Sequence, residues 1–229
     1  GSIMTPAPLR FPVALWHMLV FAAALLPASF SLQVAEGLEG FDGPPTALAV
    51  TPGPKTSLHF TAHADGEWIR GATYKARVAE SGFTYIPDFG SAAPRNFPVE
   101  FRLESAVLGG LPLALTEKAS VSRTGTHVEL DRGAVQVLYD VAIDSVEQSF
   151  LVNLAGAKGE LVLTLDVTSE LAPTEDGHGL RFETSLGAVC YGAATAIDAD
   201  GREVAAPLRF RDQQLEITVP ADFVRSARS

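Results

Sequence analysis

Few residues in this chain have types and spacings that could do chemistry. Asp198-Ala199-Asp200-Gly201 begins like a calcium loop. Calcium takes about six to eight oxygen ligands, and an EF-type loop carries a glutamate at about its twelfth position. Counted from Asp198 that position is Arg209, and a third early carboxylate is missing. A turn between two strands uses Asp and Gly equally well, so a turn is expected and a metal is not. His59 and His63 form an H-x-x-x-H pair. On a helix the two rings would converge on one ion. In a strand they stand roughly 13 Å apart along one face, too far for zinc–nitrogen bonds of about 2 Å. Leu58, Phe60 and Ala62 alternate with the pair, so a strand with solvent-facing histidines is expected. His127 and His178 read as surface and turn residues.

Catalytic motifs are equally sparse. No G-x-S-x-G elbow, H-E-x-x-H helix, phosphate loop or dinucleotide fingerprint is present. Asp140 and Asp144 fall on one face of an alternating stretch. A glycosidase needs two carboxyls about 5 to 10 Å apart across a cleft, and spacing along one strand does not make a cleft. Cys190 is the single cysteine, which excludes an internal disulfide. It lies in the apolar run Ala188-Val189-Cys190-Tyr191-Gly192 and is expected to be a small buried side chain. No catalytic, cofactor-binding or metal-binding residue is assigned.

Binding has more material to work with. Trp68, Tyr74, Phe83, Tyr85, Phe89 and Phe97 cluster in the first half, several in the irregular stretch 82–98. Exposed aromatic faces stack on sugar rings or anchor protein partners; buried ones fill a core. Trp68, Tyr85, Phe89 and Phe97 are the candidate ligand surface, with core filling as the alternative.

The elements that must position these residues are strands. Val135, Val137, Tyr139, Val141 and Ile143 alternate with more polar neighbours. So do Leu161, Leu163, Leu165 and Val167; Val99, Phe101 and Leu103; and Leu215, Ile217 and Val219. Period-two alternation puts like residues on one face of a sheet, as in antiparallel sheets with one wet face. Asp65-Gly66, Gly156-Ala157-Lys158-Gly159, Asp176-Gly177 and Asp200-Gly201 supply turns between them. The pattern predicts an all-β antiparallel sandwich, with a smaller preceding sheet region set off by a weak boundary near Arg123-Thr124-Gly125.

Residues 4–31 read as a secretory signal peptide with a helical apolar core. Arg10 is followed by the apolar run Phe11–Leu26, then by small residues, with cleavage expected near Ser31. Gly1-Ser2-Ile3 precede Met4 and belong outside the fold. The remaining organisation is an irregular lead-in over 32–56, the β domain over 57–220 and a short tail over 221–229 that could form about two helical turns. Hydrophobic residues make up 47% of the chain, ample for a core. The formal net charge is −10, which repels phosphate backbones and excludes nucleic acid as an expected partner. No stable membrane insertion is expected once the signal is removed.

The second half resembles the N-terminal head region of large secreted bacterial proteins that carry β-propeller or other β-repeat arrays. The residues concerned are Ser145-Val146-Glu147-Gln148-Ser149-Phe150, Gly159–Leu163, Gly179–Phe182, Val189-Cys190-Tyr191-Gly192, Ile197–Arg202 and Leu215–Pro220. The resemblance implies a β-rich module without assigned catalytic residues, followed in its relatives by the repeats. The expected function is an exported, non-catalytic structural or interaction module, partnered by protein or polysaccharide at the cell surface. A carbohydrate-binding module using the loop aromatics, and an extracytoplasmic hydrolase, are the alternatives.

Overall fold

In the computed structural model of the chain, residues 9–13, 57–154, 158–175 and 179–226 are described. The strands in chain order are β1 (Leu9–Val13), β2 (His59–His63), β3 (Gly66–Arg70), β4 (Tyr74–Ala79), β5 (Gly82–Pro87), β6 (Val99–Leu108), β7 (Leu111–Pro112), β8 (Leu115–Thr124), β9 (His127–Gly133) and β10 (Val135–Val141). They continue as β11 (Val146–Val152), β12 (Leu161–Ser169), β13 (Pro173–Glu175), β14 (Leu180–Thr184), β15 (Gly187–Tyr191), β16 (Ala194–Ile197), β17 (Glu203–Ala206), β18 (Leu208–Arg211) and β19 (Gln214–Val219). One helix, α1 (Ala221–Ser226), follows.

The protein is an all-β antiparallel sandwich. One sheet runs β18-β19-β12-β6-β5-β4-β3-β2, with β7 beside β6. The other runs β17-β16-β1-β11-β10-β9-β8, and β13-β14-β15 form a small third sheet. Alternation in the sequence becomes alternation in burial. Val135, Val137, Tyr139 and Val141 of β10 face inward, as do Leu161, Leu163, Leu165 and Val167 of β12 and Leu215, Ile217 and Val219 of β19.

Aromatic contacts join the layers. Phe83 of β5 stacks on Tyr139 of β10 with centroids 4.7 Å apart. Phe101 of β6 meets Tyr191 of β15 at 4.8 Å and Phe182 of β14 edge-on at 6.2 Å. The tyrosine hydroxyls need partners in so dry a place. Gln148, itself 2% exposed, accepts from Tyr191 at 2.9 Å and donates to the Tyr139 oxygen at 3.1 Å. The Tyr74 hydroxyl crosses from β4 to donate to the Ala142 carbonyl at 2.7 Å.

The residues of the expected weak boundary form the β8–β9 hairpin turn, where Thr124 pairs with His127, and β6 before it pairs with β12 after it. Other expectations are corrected. Asp144 lies beyond the end of β10 and shares no strand face with Asp140. Cys190 is half-buried: Val189 and Tyr191 take the inward positions of β15, and its sulfur lies 3.7 Å from the Arg181 guanidinium. Within the expected signal helix, Leu9–Val13 is a strand, consistent with Pro12 opposing helix there. The rest of 4–31, the lead-in 32–56 and the turn positions 156–157 and 176–177 lie outside the described residues.

All four tyrosines of the chain are buried, each 1% exposed or less. Burial raises every one of them above the usual phenol range, because the phenolate would be desolvated. An unfolded tyrosine ionises near pH 10. Above that pH the unfolded chain therefore holds fewer protons than the native one, and stability falls as pH rises further. An alkaline titration should show no tyrosinate absorbance below about pH 10, then ionisation of all four at unfolding. Gradual ionisation around pH 10 in a chain that keeps its β-sheet dichroism would contradict the packing described.

Candidate functional site

The outward face of β2, β3 and β4 gathers most of the chemistry that is left exposed. Register builds it. The Asp65-Gly66 turn sets His63 opposite Gly66, hence Thr61 opposite Trp68 and His59 opposite Arg70. The next turn sets Arg70 opposite Lys75 and Trp68 opposite Arg77. Two cross-strand rows result, Thr61–Trp68–Arg77 and His59–Arg70–Lys75.

The first row has a carboxylate partner, although the Arg77 Nε is buried without a hydrogen bond among the described residues. The Arg77 guanidinium lies 5.5 Å from the Trp68 ring centroid and 3.1 Å from the Asp65 carboxylate. The indole Nε1 of Trp68 donates to the same carboxylate at 3.1 Å. That indole hydrogen bond, followed by the one from Arg77, holds the Asp65 carboxyl below its usual range. The second row has no such answer. Among the described residues no ion pair joins Arg70 or Lys75 to a carboxylate. Like charges directly opposite on neighbouring strands are destabilising, so this row costs stability where it stands.

The face is held rigidly in spite of that cost. The turn between Arg70 and Lys75 is pinned to the opposite layer, where the Ala72 amide donates to Ile143 at 2.6 Å beside the Tyr74–Ala142 bond. Gly71 permits the approach: a Cβ there would lie 2.2 Å from the Tyr74 ring and 2.6 Å from the Ile143 oxygen. The far side of the hairpin is tied by Arg123 of β8. Its guanidinium contacts Glu67 at 2.6 Å and lies 4.8 Å from the Phe60 ring centroid. A depression of about 490 Å³ opens between His59, His63, Trp68 and Lys75. A second, of about 400 Å³, adjoins it across Arg70 and Lys75 and reaches Phe89 and Arg95.

The four aromatic candidates separate here. Trp68 is half-buried on this face. Phe97 is half-buried, its ring 5.4 Å from the Arg95 guanidinium and 6.0 Å from Phe89. Phe89 is only 9% exposed. Tyr85 is 0% exposed and stacks on Tyr74 at 5.0 Å, so it is a core residue and leaves the candidate surface. Sequence reasoning missed Arg70 and Lys75. Counting outward from the Asp65-Gly66 turn would have placed Arg70 across from His59.

The other candidates resolve locally. His59 and His63 lie exposed on strand β2, with Phe60 packed toward the core. Asp198 closes the β16–β17 turn. Burial alone would raise its carboxyl, but the Arg202 amide at 2.9 Å, the Arg202 guanidinium at 2.7 Å and the Asp200 amide at 3.0 Å hold it below its usual range. Gly201 takes the left-handed φ of 78° that this turn requires. Asp140 is engaged by His127 across β9 and β10. No group of three or more potential metal ligands occurs among the described residues. Comparison of the chain with protein families, with curated proteins and with solved structures finds no match.

If the His59–Arg70–Lys75 row is repulsive, removing one charge should help. Lys75→Glu is expected to raise unfolding stability by about 0.2–1 kcal/mol, read as a higher urea midpoint at low salt. Salt screens such exposed pairs, so the gain should shrink as salt is added. A loss of stability on Lys75→Glu would show that the row is not under repulsion.

Proposed function

We propose that this chain is a non-catalytic interaction module acting outside the cytoplasm, as the head of a larger secreted or surface protein, and that it binds acidic polysaccharide through the His59–Arg70–Lys75 face. The observation that carries this reading is the His59–Arg70–Lys75 row beside Trp68, whose two cations have no ion pair to a carboxylate among the described residues.

The chemistry supports carboxylate-bearing sugars. A guanidinium grips a carboxylate with two parallel hydrogen bonds, and Lys75 adds a point charge beside it. Trp68 offers an apolar edge next to these donors; Arg77 already covers part of its ring, so charge rather than ring stacking supplies the larger share of recognition. The two adjoining depressions form a track across one sheet edge, a shape suited to a chain of repeating units. Nucleic acid fits less well, because the negative charge on the rest of the molecule opposes a dense polyphosphate. The likeness of the second half to secreted head regions supports the extracytoplasmic placement.

Affinity electrophoresis of the full chain through polyuronate and through neutral glucan tests the proposal. Retardation is expected in the polyuronate only, and it should weaken with salt. The double substitution Arg70→Glu with Lys75→Glu should lower affinity by at least about tenfold, since charge-assisted hydrogen bonds are the stronger kind. Equal retardation by neutral glucan, or polyuronate binding unchanged by the double substitution, would overturn it.

A further inference from the structure

The chain between β5 and β6, residues 88–98, carries Pro94 and Pro98. Neither has an amide hydrogen for a ladder, so this stretch runs as a loop. It is nonetheless fixed at both ends. The Asp88 amide donates to the Thr73 carbonyl at 2.8 Å, which ties the loop to the turn between Arg70 and Lys75. At the other end the hydroxyl of Ser169, the last residue of β12, donates to the Pro98 carbonyl at 3.1 Å and accepts from the Leu171 amide at 3.1 Å. Between these ties Phe89 is buried against Phe97. The Arg95 guanidinium lies over the Phe97 ring, 5.4 Å from its centroid.

The loop thereby brings a third cation to the basic row. Across β4 and β5 Lys75 pairs with Ile86, where the row of charges stops. Arg70, Lys75 and Arg95 nevertheless line one depression of about 400 Å³, with Asn96 and Asp88 beside them. Asp88 opposes the three cations with one carboxylate, which already accepts from the Gly90 amide at 3.1 Å.

Arg95 differs from Arg70 and Lys75 in having an ion-pair partner. Its Nη2 lies 2.6 Å from Oε2 of Glu170. Glu170 stands between Ser169 and Leu171, on the turn that the Ser169 hydroxyl pins. Both side chains are more than half exposed, Arg95 at 62% and Glu170 at 54%. An ion pair so placed contributes little, because water and salt screen it. A guanidinium offers five N–H donors in a planar fork, and a carboxylate that takes two of them in parallel is held more firmly.

On the reading that the basic row binds carboxylate-bearing sugars, we propose that Arg95 is a further carboxylate subsite of the same track, and that Glu170 is its internal competitor, holding the guanidinium until a bound chain displaces it. A sugar chain seated on Arg70 and Lys75 presents its next carboxylates at high effective concentration. Exchange of the Glu170 carboxylate for a sugar carboxylate at Arg95 then replaces one weak pair by a firmer one. Phe97 holds the guanidinium from below and takes no direct part, since Arg95 covers its ring.

Calorimetric titration of the full chain with octagalacturonate tests this. Arg95→Gln should weaken binding about tenfold, the loss of one charge-assisted carboxylate contact. Glu170→Gln should tighten it about two- to fivefold, in line with the small worth of an exposed pair. In the Arg95→Gln background Glu170→Gln should change nothing, a coupling that a double-mutant cycle reads directly. Opposite signs for the two single substitutions separate competition from bracing. If both weaken binding, the pair merely supports the loop and the inference fails. It also fails if Glu170→Gln tightens binding equally with and without Arg95, which would make Glu170 a diffuse repulsive charge. Binding that is lost on Arg70→Glu with Lys75→Glu but unchanged by Arg95→Gln would remove this subsite and leave the basic row standing. No binding by the unsubstituted chain would overturn the subsite together with the reading on which it rests.

Discussion

The structure depends on burying hydroxyl-bearing rings between layers that have no crosslink. With a single cysteine, the layers are held by packing and hydrogen bonds. Phe83 on Tyr139 and Phe101 on Tyr191 supply contact across the sandwich. Each tyrosine also brings a hydroxyl whose burial costs about 1–3 kcal/mol if left alone. Gln148 removes that cost for two rings at once, and the Ala142 carbonyl removes it for Tyr74. Tyr85 is the exception: its hydroxyl has no hydrogen-bond partner among the described residues. Stacking on Tyr74 offsets part of the deficit, about 0.5–1.5 kcal/mol beyond area burial.

The same contacts organise the surface. Tyr74 and Ala72 fasten the β3–β4 turn to the β10–β11 turn in the other layer. That turn carries Arg70 at one end and Lys75 at the other. Repulsion between them cannot be relieved by moving the turn, because Gly71 leaves no slack against Tyr74 and Ile143. Core closure therefore holds the two cations in place without a ligand. A site ordered in advance loses less conformational freedom on binding.

What the sequence made legible follows from period and parity. Strands with a clean apolar alternation, such as β6, β10, β12 and β19, could be read directly. So could the Asp198 turn, whose residue types allow few conformations. β3 was hidden because its inward position 67 is a glutamate, neutralised by Arg123 from β8, and a charge on the core side breaks the alternation. The β18–β19 hairpin was hidden because Asp212 and Gln213 take positive φ, 51° and 63°, without glycine to signal it. Aromatic residue type did not separate Tyr85 in the core from Trp68 at the surface. The basic row was invisible for a different reason: Arg70 and Lys75 become neighbours of His59 only through register, and register is a relation between strands.

The basic row rests on local connections. β2 to β6 form a continuous hairpin meander, each strand paired with its successor. The pairings of β1 with β11 and β16 are long-range by contrast. Loop-closure entropy favours local pairings over remote ones, so the meander that sets Arg70 opposite Lys75 depends least on the remote strands of the other sheet.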